Sequence, residues 1–475
     1  MVFASLIFLF LFLPLNLLLY YSTKNPTWRN IILIVFSLFF YGWGEPIWIS
    51  LMIFSSFIDY FNALLIEKYR GTKWAKLGVV STLIFNLGLL ATFKYDVFIV
   101  ENVNAVFGTD FSAPGFGLPI GISFYTFQTI SYVLDVYRGE VKAQRKFFNF
   151  LMFVSLYHQL VAGPIVRYSH IANEIDKRKE TLSDFSKGVS RFCIGLFKKV
   201  VIANIAAEIV KKYMGDQESP LTMAGLSDLS VGGAWLGVIM YAIQIYFDFS
   251  AYSDMAIGLG WMFGFHYHEN FKYPYTATSI TDFWRRWHIS LGTFFKDYLY
   301  FPLGGNRKHV YRNLFIVWFL TGMWHGASWN FIFWGLYFFV FISIEKAFLL
   351  KALAKIPKFF SHFYALLVIV PGWVIFYFTD TKILGAYFAK LFSFGSGNLW
   401  NAEVTNDLTT NLYWFIGAII LCMPVYHKVH DTFENRLKKP AYFETISIGL
   451  NVIFIVFSVA QLVGKSYNPF IYFRF

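Results

Sequence analysis

Histidine, arginine and carboxylate side chains crowd into one stretch of an otherwise apolar chain, residues 281–330. It reads Thr281-Asp282-Phe283-Trp284-Arg285-Arg286-Trp287-His288 and passes through Asp297 and Pro302-Leu303-Gly304-Gly305-Asn306-Arg307. It then reaches Thr321-Gly322-Met323-Trp324-His325-Gly326-Ala327. Ionisable groups at membrane depth are costly and face a cavity or a partner, so each is a candidate for chemistry. His325 lies between Trp324 and Gly326 in apolar sequence, where an unpaired imidazolium would be expensive. Desolvation favours the neutral ring that a general base needs. A membrane histidine also serves as a helix–helix hydrogen-bonder, but the flanking glycines permit close approach of backbone or substrate. His288 stands beside Arg285 and Arg286 among tryptophans, a setting that by itself favours an interfacial histidine over a catalyst. Arg285, Arg286, Arg307 and Lys308 suit an anionic, phosphate-bearing donor, because arginine grips phosphate with paired hydrogen bonds. The same charges would also hold a loop at an anionic inner leaflet.

Other catalytic kits are missing. The chain has no Gly-x-Ser-x-Gly elbow and no Walker A or Gly-x-Gly-x-x-Gly loop, which disfavours a serine hydrolase and an ATP-driven pump. Its two cysteines, Cys193 and Cys422, sit in apolar helical sequence, so neither a disulfide framework nor a zinc cluster is expected. The net charge of +12 resides in short loops between apolar runs. That is the positive-inside pattern and does not point to nucleic acid. Chemistry alone leaves an acyltransferase and a transporter both open.

The elements that must position these residues are membrane spans. Hydrophobic residues make up 57% of the 475 and charged residues 14%, well below the roughly 25% charge of soluble domains. Apolar runs long enough to cross a bilayer recur from end to end. Residues 1–21 lack a basic n-region and a cleavage site and are expected to be a retained first span. Asn30 to Glu67 reads as a two-span hairpin bent at Gly42-Trp43-Gly44-Glu45-Pro46. A fourth span covers Leu77 to Ala91 or a little beyond, and an acidic outer loop follows around Asp96 to Gly117. Leu118 to Tyr137 returns. Phe147 to Val166 is then flanked by basic loops on both sides, so it must be broken or re-entrant, as backbone buried in protein or lining a cavity can be.

The helix from Trp235 to Met262 carries Gln244, Asp248 and Asp254 on one sector, either as tunnel lining or as polar contacts between helices. His266 to Arg312 offers no clean span. Asn313 to Ile344 fits a broken hairpin turning near Gly322 to Gly326. Three simpler spans follow at Phe363–Phe378, Leu412–Tyr426 and Ile446–Val463, with an inner basic loop around His427 to Lys439. Charge parity places both termini outside the cell.

Several ordered motifs resemble the signature of the membrane-bound O-acyltransferase family, in its bacterial polysaccharide branch, which includes the membrane subunit of alginate O-acetylation. They are Trp284-Arg285-Arg286-Trp287-His288-Ile289-Ser290-Leu291, Asp297-Tyr298-Leu299-Tyr300-Phe301-Pro302-Leu303-Gly304-Gly305-Asn306-Arg307 and Gly322-Met323-Trp324-His325-Gly326-Ala327. Leu118-Pro119-Ile120-Gly121, Ala162-Gly163-Pro164-Ile165-Val166-Arg167 and Asp248-Phe249-Ser250-Ala251-Tyr252-Ser253-Asp254 match as well, so the likeness covers nearly the whole chain. The resemblance implies an all-α polytopic membrane protein of about ten or more transmembrane helices, with broken or re-entrant segments around a central funnel. It implies a single acyltransferase domain over 1–475: N-terminal spans 1–137, a catalytic core 138–345 and C-terminal spans 346–475. His325 would be catalytic and His288 a second active-site residue, with Arg285, Arg286, Arg307 and Lys308 near the phosphates of cytosolic acetyl-CoA; no metal is expected. The expected setting is a bacterial cytoplasmic (inner) membrane. The acceptor would be an extracytoplasmic polysaccharide such as alginate, peptidoglycan or another surface glycan, reached with an SGNH-type extracytoplasmic acetyltransferase partner. D-alanyl transfer to teichoic acid and a non-enzymatic transporter of lipid-linked sugar or acyl groups are the competing readings.

Overall fold

A computed structural model describes residues 1–161, 163–216, 218–395, 398–425, 440–464 and 471. Ala162, the expected inner loop at His427–Lys439 and the C-terminal motif Asn468–Phe475, apart from Ile471, lie outside the described residues. Among the described residues the regular structure is helical, with one isolated bridge between Gly215 and Pro220. Six helices among these residues are long and apolar enough to cross a membrane: Ile49–Lys68, Lys73–Phe107, Val231–Met262, Trp329–Leu353, Lys358–Tyr377 and Thr445–Val463. Phe8–Tyr21 and Leu412–Leu421 are shorter apolar helices. The chain is a multi-pass membrane protein, as its composition requires.

It divides into two compact units. The first comprises Met1–Cys193, Tyr252–Glu269 and Thr293–Leu299. Its helical hairpin, Pro26–Gly44 and Ile49–Lys68, turns where expected. Pro46 drives Glu45 out of the α region, to φ −133° and ψ 64°. Helix Lys73–Phe107 corrects one boundary: the stretch from Asp96 to Phe107 continues the helix and is not loop. It contains neither glycine nor proline to stop it, and the helix ends at Gly108, whose φ is +64°. Inside this unit Asn86, fully buried, donates to both carboxylate oxygens of Asp59 at 3.0 and 2.9 Å and accepts from Ser55 at 3.0 Å. Such side-chain hydrogen bonds fasten helices where lipid offers no hydrophobic drive to pair them.

The parity argument at Phe147–Val166 is borne out as a broken helix. Only Phe147–Ser155 is α-helical, nine residues, about 14 Å at 1.5 Å per residue and less than half of a bilayer core. The chain then turns and resumes as helix Tyr168–Asp176. The irregular backbone is held by polar partners: the Tyr157 N–H donates to Ser37 Oγ at 3.1 Å, Asn16 donates to the Tyr157 hydroxyl at 3.0 Å, and Gln159 donates to the Phe153 carbonyl at 2.7 Å. Gly121 is needed here. Its φ is +80°, and a Cβ on it would lie 2.8 Å from the Leu160 carbonyl oxygen.

The second unit comprises Ile194–Ala251, Asn270–Gly292 and Tyr300–Phe475. The expected hairpin appears as helices Val310–His325 and Trp329–Ile344, broken at Gly326. The two pack so closely that a Cβ on Gly322 would sit 2.4 Å from the Phe331 carbonyl oxygen, and one on Gly335 2.3 Å from that of Trp318. The region before the hairpin holds none of the long apolar helices and carries short helical segments, among them Ile280–Arg286 and Ile289–Phe295. Leu412–Leu421 is shorter than the span expected from Leu412 to Tyr426, because a turn interrupts it at Cys422. The carboxylates of helix Val231–Met262 serve as contacts between helices. Asp248 takes a 2.6 Å ion pair from Lys199 in this unit, and Asp254 takes one of the same length from Arg191 in the first unit.

Candidate active site

The tryptophans of the Trp284–His288 stretch explain how its arginines are presented. Trp284 and Trp287 are three residues apart and therefore share a helix face. Trp284 packs on Trp318, Trp334 and Phe338 with centroids 5.0, 5.3 and 4.8 Å away, and Trp287 packs on Trp373 at 4.8 Å. With that face buried, Arg285 is exposed and Arg286 half-buried.

The helix they end is fixed at its other terminus. Ser279 Oγ accepts from the Asp282 N–H at 2.9 Å, the usual N-cap. The buried Glu345 carboxylate accepts from the N–H groups of Ile280 and Thr281 at 2.6 and 2.8 Å, and from the Thr281 hydroxyl at 2.6 Å. An anion at a helix N-terminus is favourable both to the dipole and to the orphan donors there. Glu345 was not among the sequence candidates, although a carboxylate closing an apolar span was a legible sign.

His288 follows directly. It is buried, and its φ of +44° is rare for a residue with a side chain. Buried Asn270 holds the two residues that follow His288: the Asn270 carbonyl accepts from the Ile289 N–H at 2.9 Å, and Oδ1 accepts from the Ser290 N–H at 3.1 Å. Oδ1 also meets His288 Nδ1 at 3.2 Å and the Ser290 hydroxyl at 2.9 Å. The loop carrying His288 lies outside the six apolar spans, and burial pushes its imidazole down to about 3, so the ring is neutral.

His325 closes helix Val310–His325, buried in an aromatic shell of Trp324, Trp334 and Phe376 with centroids 4.9, 4.9 and 5.1 Å away. Two details shape that shell. A Cβ on Gly326 would lie 2.2 Å from the Phe331 ring, so only glycine fits after the histidine. Asn330 donates to the carbonyls of Ile375 and Phe376, each at 3.1 Å, and so places the Phe376 ring. The structure brings the two histidines together: Trp324 is 6.1 Å from His288 and 4.9 Å from His325. Those two legs bound the separation of the imidazole centroids at 11.0 Å.

The basic candidates divide. Arg286 is committed to Asp282 at 2.9 Å, an i,i+4 pair at the surface. Arg307 and Lys308 are exposed on the turn after Tyr300, which buried Asn313 ties to helix Val310–His325 by donating to the Gly305 and Lys308 carbonyls at 3.1 and 2.7 Å. Lys346 connects them. It donates to Asn306 Oδ1 at 2.5 Å and lies within electrostatic reach of Arg285. Arg285, Lys346 and the Arg307–Lys308 turn thus form one basic cluster, to which the sequence contributed three of four members. The Asp297 motif is split: Arg167 pairs with Asp297 at 2.8 Å and Tyr298 donates to Asp135 at 2.6 Å, all within the first unit.

Residues 142–389, which contain both histidines and every basic residue of the cluster, match the family model described as MBOAT, membrane-bound O-acyltransferase family. The probable alginate O-acetylase of Pseudomonas putida is 38% identical over 505 residues, covering 100% of each chain. The peptidoglycan O-acetyltransferase of Helicobacter pylori is 37% identical over 382 residues, 73% of this chain and 71% of that protein. The teichoic acid D-alanyltransferase of Bacillus subtilis is 27% identical over 242 residues, 48% and 59% of the two chains.

Proposed function

We propose, from the premise that this chain belongs to the membrane-bound O-acyltransferase family, that it moves an acetyl group from cytosolic acetyl-CoA across the membrane for O-acetylation of an extracytoplasmic polysaccharide. As an O-acyltransferase it does chemistry, which separates it from a transporter of lipid-linked sugars. The observation that carries the mechanism is the pair of buried histidines gathered around Trp324. His325 takes the proton of the attacking hydroxyl, and the hydroxyl oxygen bonds to the thioester carbonyl carbon. The C–S bond breaks, and the CoA sulfur leaves with the proton returned by His325. General-base catalysis of this kind is worth about 10²–10⁴-fold. His288 either orients the acceptor hydroxyl or donates to the thioester oxygen as charge develops there.

The cluster of Arg285, Lys346, Arg307 and Lys308 fits the phosphates of CoA, with Arg286 a weaker contributor because Asp282 already holds it. Full-length likeness to proteins named alginate O-acetylases supports an alginate-like acceptor, with peptidoglycan next. An SGNH-type extracytoplasmic enzyme completes delivery to the polymer, and the protein resides in a bacterial inner membrane, its 475 residues acting as one acyltransferase domain. The partial likeness to the teichoic acid enzyme keeps D-alanyl transfer as a second reading.

CoA release by purified, folded protein tests both parts. His325→Ala is expected to lose at least about 10²-fold in turnover, and near-normal turnover would remove His325 from the chemistry. Arg285→Ala and Arg307→Ala should raise KM for acetyl-CoA about fivefold each, as exposed charges do, with kcat little changed; an unchanged KM would move the phosphates elsewhere. Turnover only with a D-alanyl-charged carrier protein would favour the teichoic acid reading.

A further inference from the structure

We infer that Asn270 is a positioning residue that locks His288 in the tautomer protonated at Nδ1, so that His288 meets its substrate through Nε2 as a hydrogen-bond acceptor. The inference selects one of the two roles for His288 given above and rests on that reading for its catalytic meaning. Its structural basis is independent of it. The two ends of an Asn amide look alike, so its orientation must come from an unambiguous partner. Here that partner is the Ser290 backbone N–H, which can only donate and lies 3.1 Å from the amide end that faces His288. That end is therefore the oxygen.

The Ser290 hydroxyl, 2.9 Å from the same oxygen and 3.4 Å from His288 Nδ1, spends its proton on the nearer atom. An oxygen facing Nδ1 at 3.2 Å requires a hydrogen there. In a neutral imidazole the Nδ1 proton leaves the lone pair on Nε2. Whatever meets Nε2 must then donate, which an acceptor hydroxyl does and a thioester carbonyl cannot.

The backbone points the same way. His288 is held at φ +44°, a strained conformation that persists only where the surroundings over-determine it. Those surroundings include two hydrogen bonds to Asn270, one from Ile289 and one from Ser290. One buried residue thus fixes both where the ring stands and which nitrogen carries its proton, the task a carboxylate performs for the histidine of a hydrolytic triad.

The test is spectroscopic. In protein labelled with ¹⁵N-histidine, reconstituted in lipid at neutral pH, the His288 signal is identified by its loss in His288→Gln. If that variant does not fold, contact with ¹³C-labelled asparagine identifies it. The wild type should show a protonated Nδ1 and an unprotonated Nε2. A protonated Nε2 would overturn the inference, whatever the protein's activity. Asn270→Leu should release the tautomer and lower kcat by about 10²-fold, the scale of a misplaced catalytic group. Asn270→Asp, which presents the same acceptor, should restore the Nδ1–H signal and most of kcat. Equal loss in both variants with an unchanged His288 spectrum would reduce Asn270 to a purely structural residue. The expected tautomer with normal turnover in His288→Ala would instead strike down the catalytic role while leaving the tautomer standing.

Discussion

Around His325 the residues that decide geometry are small. Gly322, Gly326 and Gly335 are places where a methyl group has no room, and two of the three conflicts are with backbone carbonyls that cannot swing away. Gly322→Ala and Gly335→Ala should each cost about 1–3 kcal/mol, the usual penalty of overpacking, seen as a lower midpoint of thermal unfolding in detergent. Gly385, helical and with nothing within 4 Å of its would-be Cβ, is the control: Gly385→Ala should be neutral or stabilising by about 0.5–1 kcal/mol. A destabilised Gly385→Ala beside a tolerated Gly322→Ala would contradict the close hairpin. Sequence drew attention to Gly322 and Gly326, but only packing adds Gly335 to them and sets Gly385 apart.

At the scale of elements, the short helix Ile280–Arg286 depends on Glu345. Seven residues form too short a helix to stand without its caps and tertiary contacts, and its first two N–H groups end on one carboxylate. Glu345→Ala should cost roughly 1–3 kcal/mol by leaving those buried donors without an acceptor. It should also raise KM for acetyl-CoA by displacing Arg285. Glu345→Gln, which keeps an acceptor oxygen, should recover part of both. Thermal unfolding and KM measured together check the link, and a stability loss with unchanged KM would detach Glu345 from the basic cluster. Element boundaries were legible where a stop signal is local, as at Glu45-Pro46 and Gly326. They were not legible at Asp96–Phe107, where acidic residues suggested a loop and helical continuity prevailed.

For the whole molecule, charge parity leads us to propose that both termini lie outside and the basic turn after Lys68 in the cytoplasm. The native cysteines, both buried, leave the wild type quiet toward a membrane-impermeant maleimide. Thr72→Cys should therefore label only in inside-out vesicles, and Asp110→Cys only from outside intact cells. The reverse pattern would invert the proposed topology.

Composition and local order carry the membrane and family readings. An apolar chain with little charge must span a membrane, parity failures at Phe147–Val166 and Asn313–Ile344 require broken helices, and an ordered set of motifs marks the family and singles out His288 and His325. Those signals are carried by neighbours in sequence or by simple counting. Tertiary structure alone decided the rest. Asn270, Asn330, Glu345 and Lys346 act on residues 18, 46, 65 and 40 positions away. No periodicity or spacing links such pairs, because hydrogen bonds and packing depend on distance in space after the chain has folded back on itself.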